Sequence, residues 1–241
     1  MAGPMRIEVQ VFEGCPHDGT ALALASEIAA RLAPAAVVAR VEVDSPAKAA
    51  TLGFLGSPSI RVDGRDIEDR TTSDGRLGCR TYEGGRGAPP AWLVEAAILR
   101  ALRPGGVLFL CVANSARSQL AEGIARSLAP AGSTVWSAGS RPTHVRPEAV
   151  AVLREIGIDI SAHRSKAVAE IPADEVDAVI TLCAEEECPV FLGRARRLHW
   201  GLPDPVATAG AEAEQLDEFR RVRDELRRRL AVLYAVSPAV G

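Results

Sequence analysis

The segment from Cys111 to Ser118, CVANSARS, brings a thiol, a guanidinium group and two hydroxyls together within eight residues. The apolar run from Val107 to Leu110 before it predicts a buried strand, and the residues after it predict a helix. Amide N–H groups at the start of a helix bind anions, and the same positive end favours the nucleophilic thiolate form of a cysteine. The segment therefore predicts a nucleophile held against a bound oxyanion.

The polar residues of this loop have distinct expected parts. Arg117 can bind two oxygens of a tetrahedral anion, Ser118 can donate a hydrogen bond to the thiolate, and Asn114 can hold the shape of the loop. The oxyanion itself is expected to bind along Val112, Ala113, Asn114, Ser115, Ala116 and Arg117. The alternative is a structural strand–turn–helix joint with a buried, inert cysteine, and the placement between an apolar strand and a helix argues against it.

The loop resembles that of the low-molecular-weight tyrosine-phosphatase fold, which phosphatases share with thioredoxin-coupled arsenate reductases. The resemblance covers residues 105–241, with further matching stretches at 118–123, 137–139, 155–161 and 202–205. It implies that Asp204, in the late Asp-Pro pair, is the general acid that protonates the leaving oxygen. It also implies an α/β fold with a phosphotyrosine phosphatase I-like doubly wound parallel sheet.

Two more cysteines favour reduction over hydrolysis. Cys183 follows a predicted strand, and Cys188 lies five residues later. Open parallel sheets place their sites at the carboxyl edge, so Cys183 is expected on the same side as Cys111. A phosphatase has no chemical need for such a pair, whereas a reductase does. The pair has only His199 as a further ligand nearby, so a zinc site is disfavoured and no metal is expected.

The chemistry expected of an arsenate reductase is a relay of thiols. Cys111 attacks arsenate, Cys183 attacks the sulfur of Cys111 as arsenite leaves, and Cys188 then takes the disulfide. No bound cofactor is expected, because the reducing equivalents come from thioredoxin, a glutaredoxin-like partner or another thiol donor.

Lys166 departs from the pattern of some relatives, which hold a potassium ion near this point. In those relatives a carboxylate joins the residues that match Asn114, Glu122 and Ser137 here. A lysine puts its own charge in that place. Arsenate turnover is therefore expected not to depend on potassium.

The first half alternates strand and helix patterns, and it resembles a thioredoxin-like domain over about residues 5–102. The resemblance implies a cis peptide bond at Pro58 beside Cys15, and it places Asp18 where a second thiol stands in C-x-x-C. Cys79 is predicted to lie in a flexible loop that could approach Cys15. Three hypotheses remain: a Cys15–Cys79 redox relay serving the C-terminal site, a pair that captures arsenite or a soft metal with Asp18, or a docking domain with inert cysteines.

Composition limits the class of protein. The chain has 241 residues, a net charge of −3 and 47% hydrophobic residues, and no apolar run approaches the roughly 20 residues that span a bilayer. Neither a nucleic-acid partner nor a membrane partner is expected. The expected location is the cytoplasm. A break at Arg103-Pro104-Gly105-Gly106 predicts two domains, 1–103 and 104–241.

Three functions follow from these patterns. The leading hypothesis is reduction of arsenate to arsenite through Cys111, Cys183 and Cys188, in arsenic detoxification. The second is a phosphatase that acts on phosphotyrosine or small phosphate esters. The third is a non-enzymatic metalloid-binding or redox-sensing protein.

Overall fold

A computed structural model of the chain describes residues 3–71, 77–184, 191, 193–207 and 212–234. It divides into two compact units, Met1–Leu102 and Arg103–Gly241. Within the described ranges, no helix combines the length and the apolar character needed to cross a membrane.

The first unit has a four-stranded sheet in the order β2-β1-β3-β4. Strand β2 runs parallel to β1, whereas β3 is antiparallel to β1 and to β4. The elements in chain order are β1 (Arg6–Val11), α1 (Asp18–Leu32), β2 (Val37–Glu42), α2 (Pro46–Leu52), β3 (Ser59–Val62), β4 (Arg65–Asp66) and α3 (Ala91–Leu102). Helices α1 and α3 pack together against the sheet.

The turn at Asp63 and Gly64 joins β3 to β4 in a hairpin, as an Asp-Gly pair after a strand pattern predicts. Both residues have positive φ, 49° and 79°. A two-residue turn of this kind matches the twist of the two strands, and glycine and aspartate tolerate it at low cost. The peptide bond between Ser57 and Pro58 is cis, as predicted.

The segment Gly78–Arg80 is held by the first unit, which corrects the prediction of a flexible loop around Cys79. Ser57 donates its N–H to the Gly78 carbonyl at 2.9 Å and accepts the Arg80 N–H at 3.0 Å. The Arg80 side chain is fully buried. Its guanidinium binds both carboxylate oxygens of Asp66, at 2.6 and 2.9 Å, and also contacts Glu68 at 2.8 Å. A loop with a buried, paired arginine at its end cannot move freely. Asp66 and Glu68 lie 14 and 12 residues from Arg80 in sequence, which is too far for the pairing to be predicted.

Replacing Arg80 with methionine should lower the free energy of unfolding by about 3 to 5 kcal/mol, because it leaves the buried Asp66 carboxylate without its partner. Urea denaturation monitored by circular dichroism measures the loss. Arg70→Met is the control, since Arg70 pairs with Glu68 from a half-exposed position and an exposed pair contributes about 1 kcal/mol or less. Similar losses for the two variants would contradict the assignment.

The second unit has four parallel strands in the order β6-β5-β7-β8, which confirms the predicted parallel α/β sheet. Its elements are β5 (Gly106–Cys111), α4 (Arg117–Leu128), β6 (Thr134–Gly139), α5 (Pro147–Arg154), β7 (Ala178–Cys183), β8 (Arg196–Leu202) and α6 (Glu212–Tyr234). Every residue of β5 is buried, as expected for a central strand covered on both faces.

Helix α4 begins at Arg117, two residues later than Ser115, where the sequence pattern predicts its start. The difference comes from Asn114, whose φ is +47° and which therefore belongs to a loop. Asparagine adopts this left-handed conformation more readily than most residues. The loop consequently takes up all of the residues between the end of β5 at Cys111 and the start of α4 at Arg117. The parallel strands also end at a common edge, and their last residues are Cys111, Gly139, Cys183 and Leu202.

Candidate active site

The loop between β5 and α4 encloses a small cavity of about 70 Å³. Its lining consists of Cys111, Val112, Ala113, Ser115, Ala116, Arg117 and Asp204. A cavity of this volume has room for a few water molecules or one small tetrahedral anion. The predicted loop residues and the predicted acid thus surround one space, except for Asn114 and Ser118, which are buried and do not line it.

The carbonyl groups of the loop are bound from outside the cavity. The Val112 carbonyl accepts the N–H of Arg141 at 2.9 Å, and the Ala113 carbonyl accepts that of Thr143 at 3.1 Å. The Ser115 carbonyl is bound in the same way at 2.9 Å by a nearby backbone N–H. With successive carbonyls turned outward, the amide N–H groups are left to face inward, which is the arrangement of an anion-binding nest.

Gly139 allows the loop to pass close to the end of β6. A β-carbon at this position would collide with the Val112 carbonyl oxygen and lie 2.8 Å from the Asn114 nitrogen. Both are backbone atoms, so neither can move aside without deforming the loop. The glycine in the matched stretch 137–139 is therefore required for a steric reason.

A directed chain of hydrogen bonds ends at the Cys111 sulfur. The backbone N–H of Lys166 donates to Asn114 Oδ1 at 2.7 Å, which fixes the orientation of the Asn114 amide. Asn114 Nδ2 then donates to Ser118 Oγ at 2.8 Å. Ser118 Oγ lies 2.9 Å from Cys111 Sγ, and its own proton is free to point at the sulfur. Such a donor stabilises a thiolate.

The second N–H of the Asn114 amide leads to a buried carboxylate. It donates to Ser137 Oγ at 2.8 Å, and the Ser137 hydroxyl donates to Glu122. The Lys166 ammonium lies 3.0 Å from Glu122 Oε2, and Arg126 pairs with the other oxygen at 2.6 Å. A fixed cation of the chain therefore stands beside the residues that match a potassium site in some relatives.

Arg117 and Asp204 stand together at the cavity. Arg117 is 5% exposed, and its Nη1 donates to the Leu202 carbonyl at 3.1 Å while its Nη2 lies 3.3 Å from Asp204 Oδ2. The other oxygen of Asp204 accepts the Val206 N–H at 3.2 Å. A third of the Asp204 side chain is exposed. A carboxyl group that is partly open to water beside the nucleophile is suited to exchange a proton.

Cys183 ends the strand next to the nucleophile. Strand β7 pairs directly with β5, with Leu110 opposite Thr181, and Cys183 is buried at the carboxyl edge. Side chains alternate along a strand, so Cys183 belongs to the face of Thr181 and Leu110, whereas Cys111 belongs to the opposite face. Cys188, the predicted third thiol, lies outside the described residues.

The predicted N-terminal thiol site lies in the first unit. Cys15 is half-buried in the turn between β1 and α1, and Cys79 is exposed opposite Ser57. Asp18 opens α1 and pairs with Arg40 Nε at 2.8 Å. In the part of the chain that the structure describes, no group of three or more His, Cys, Asp or Glu residues could hold a metal ion.

Gln119 is a site residue to which the sequence assigned no role. It is fully buried, and its Nε2 donates to the carbonyl and the side-chain oxygen of Asn114, at 3.1 and 3.0 Å. Its Oε1 lies 3.0 Å from Nδ1 of His163, whose pKa is lowered by burial. The available signal was a glutamine within the matched stretch 118–123, beside Ser118 and on the helix that follows the loop.

Comparison with known proteins adds three findings. The model of the family "Low molecular weight phosphotyrosine protein phosphatase" matches residues 106–237. Arsenate reductases of Halalkalibacterium halodurans and Bacillus subtilis are each 40% identical over 126 residues, which cover 52% of this chain and 91% of the relative. A solved structure described as an arsenate reductase in oxidized state is 34% identical, with a TM-score of 0.47, and the match covers 54% of this chain and 97% of that one.

Proposed function

The chain belongs to the low molecular weight phosphotyrosine protein phosphatase family, and within this family we propose that its second unit reduces arsenate to arsenite. The observation that carries the proposal is a second thiol, Cys183, at the end of the strand beside the Cys111 loop. Hydrolysis of a phosphate ester has no use for this thiol. The relatives named arsenate reductases support the same choice.

Arsenate binds in the cavity as a tetrahedral anion. The inward-facing N–H groups and the Arg117 guanidinium hold its oxygens, as P-loop-like nests hold phosphate. The Cys111 thiolate, stabilised by Ser118, attacks arsenic. Asp204 gives a proton to the departing hydroxyl, which leaves as water.

Two electrons then reach arsenic through sulfur. The Cys183 thiolate attacks the Cys111 sulfur, the S–As bond breaks with its electron pair on arsenic, and As(V) becomes As(III) while the two thiols become a disulfide. Cys188 attacks Cys183, which releases the Cys111 thiolate. A dithiol donor such as thioredoxin reduces the Cys183–Cys188 disulfide and restores the chain.

The second step requires a rearrangement at the end of β7. Cys111 and Cys183 belong to opposite faces of adjacent strands, so a direct S–S bond of about 2.05 Å needs the backbone at Cys183 to turn. The ladder beside this strand end is already irregular, because the step from Thr181 to Cys183 on β7 is matched by a longer step from His199 to Leu202 on β8. The proposal therefore includes a change in the pairing of this strand end during each turnover.

The test is arsenate reduction coupled to thioredoxin, thioredoxin reductase and NADPH. Arsenite formation together with NADPH consumption is the expected result. Hydrolysis of phosphate esters without arsenate reduction would favour the phosphatase alternative. Binding of metalloid without either activity would favour a non-enzymatic protein.

We further expect turnover to be the same in sodium and in potassium, because the Lys166 ammonium already neutralises Glu122. Steady-state rates at equal ionic strength, with one chloride salt exchanged for the other, measure this. A large loss of activity in sodium would refute the prediction.

Lys166→Met should lower the free energy of unfolding by about 1.5 to 3 kcal/mol, the contribution of a hydrogen bond between charged groups. Lys48, the other lysine of the chain, is exposed, and Lys48→Met serves as the control.

For the first unit we propose a thioredoxin-like domain over residues 1–103, followed by the reductase domain over 104–241. The order of its strands and the place of Cys15 before α1 support this assignment. We also propose that the protein works in the cytoplasm, where a thioredoxin or glutaredoxin-like donor keeps its cysteines reduced.

A further inference from the structure

Two free thiols lie at the same end of the N-terminal sheet. Cys15 follows β1, and Cys79 lies on the segment that pairs with Ser57. Ser57 stands between them, because its Oγ accepts the N–H of Phe12 at 3.3 Å while its backbone forms a parallel bridge with Cys79. Ser57 thus joins the segment that carries Cys79 to the strand that leads into Cys15.

The backbone bonds limit how far apart these thiols can be. Neighbouring strands lie about 4.8 Å apart, which sets the distance from Ser57 to Cys79. On the other side, Cys15 turns back on Phe12, with its N–H 3.3 Å from the Phe12 carbonyl. The strand that leads into Cys15 and the segment that carries Cys79 therefore both border Ser57, and both thiols are open to solvent in part.

Cys79 is held in place by its neighbour in sequence. The buried Arg80 pairs with Asp66, and the Arg80 nitrogen lies so close to Gly56 that a β-carbon there would be 3.0 Å away. A ligand that bridges the two cysteines consequently has only one of them, Cys15, to order. Pre-organisation of this kind raises the affinity of a site.

The charges around Cys15 favour a neutral ligand over an oxyanion. Glu13 is exposed two residues before it, and Asp18 opens the helix that follows. Asp18 pairs with Arg40 through one oxygen, while the other oxygen is buried without a hydrogen-bond partner among the described residues. Carboxylates repel arsenate, but arsenite is uncharged at neutral pH.

We propose that Cys15 and Cys79 form a dithiol site that binds trivalent arsenic. The inference rests on the proposed function, which supplies arsenite as the product of the second unit. Arsenite, As(OH)₃, condenses with the two thiols to form two As–S bonds and releases two water molecules. No electrons are transferred, so no oxidant is needed. An arsenic atom between two sulfurs also spans a wider gap than a direct disulfide, which needs Cα atoms about 4.4 to 6.8 Å apart.

The test uses the full chain with Cys111, Cys183 and Cys188 replaced by serine, so that only the N-terminal thiols remain. Sodium arsenite is added under a phosphine reductant, and native mass spectrometry counts bound arsenic. The expected result is one arsenic per chain, with two thiols lost to titration by a thiol reagent. Adding either Cys15→Ser or Cys79→Ser should weaken arsenite binding by at least about 100-fold, because the second bond is no longer intramolecular.

Several outcomes would overturn the site. Equal affinity after removal of either cysteine would mean that the thiols act independently. Failure to bind arsenite in a chain whose circular dichroism and urea midpoint are unchanged would also exclude it. If Cys15→Ser in the otherwise native chain lowers arsenate reduction when no thioredoxin is added, the pair donates electrons and does not store product.

The proposed function is tested separately from this site, by the arsenate assay on the native chain. A chain that binds arsenite at Cys15 and Cys79 but reduces no arsenate would refute the reductase proposal and leave the dithiol site standing. A chain that reduces arsenate but loses nothing in arsenite affinity when Cys15 or Cys79 is changed would refute the dithiol site and leave the reductase proposal standing.

Discussion

Replacement of Cys111 by serine is expected to lower arsenate reduction by at least about 10⁴-fold, the scale of loss when a nucleophile that acts as part of a unit is removed. A serine hydroxyl is not ionised at neutral pH, so it cannot use the donor that Ser118 and Asn114 direct at this position. Arsenite formation, measured directly and not through NADPH, reports the loss. The same substitution should abolish any hydrolysis of p-nitrophenyl phosphate.

The control for Cys111→Ser is Ser127→Ala, which removes a hydroxyl from helix α4 outside the cavity. The Ser127 hydroxyl donates to the Ile124 carbonyl within its own helix at 2.7 Å. Both variants should unfold at the urea concentration of the parent chain. Arsenate reduction that persists in Cys111→Ser would remove Cys111 from the mechanism.

Replacement of Cys183 by serine separates reduction from hydrolysis. The variant keeps the loop, the Arg117 guanidinium and Asp204, so arsenate still binds and Cys111 still attacks. Without the Cys183 thiol, the sulfur of Cys111 is not attacked, so its bond to arsenic does not break and no electron pair is transferred to arsenic. NADPH consumption with thioredoxin should fall to the background rate.

The informative comparison is between two activities of the same Cys183→Ser variant. Whatever hydrolysis of p-nitrophenyl phosphate the parent chain has should persist, because that reaction uses only the loop and the acid. Thr181→Ser, on the same strand and face, is the matched control for a small change in β7. If NADPH consumption survives the loss of Cys183, the thiol relay is wrong.

The local parts of the site could be predicted from sequence, because they are contiguous. The strand β5, the loop from Cys111 and the start of α4 follow one another within a few residues, so periodicity and residue type were sufficient. The alternation of apolar strand patterns with helix patterns in the second half likewise predicts a parallel sheet. The later start of α4 was missed, because the left-handed conformation of Asn114 depends on contacts with Ser137 and Lys166.

Contacts between distant residues could not be predicted. Glu122 and Lys166 are 44 residues apart, and only the fold brings the ammonium to the carboxylate. Likewise, polar composition around Cys79 suggested a free loop, whereas Arg80 reaches a buried Asp66 and holds it. A charged side chain is usually solvated, and burial of this one is stable only because its partner is buried with it.

The pairing of Ser57 has a consequence for how other proteins can meet the first unit. Its N–H and C=O are both occupied, by Gly78 and by Arg80. An exposed strand edge recruits an extended peptide by offering unpaired backbone groups, and at this residue the chain has already supplied its own segment. A partner that approaches Cys15 must therefore be recognised by side chains and surface shape, not by adding a strand at Ser57.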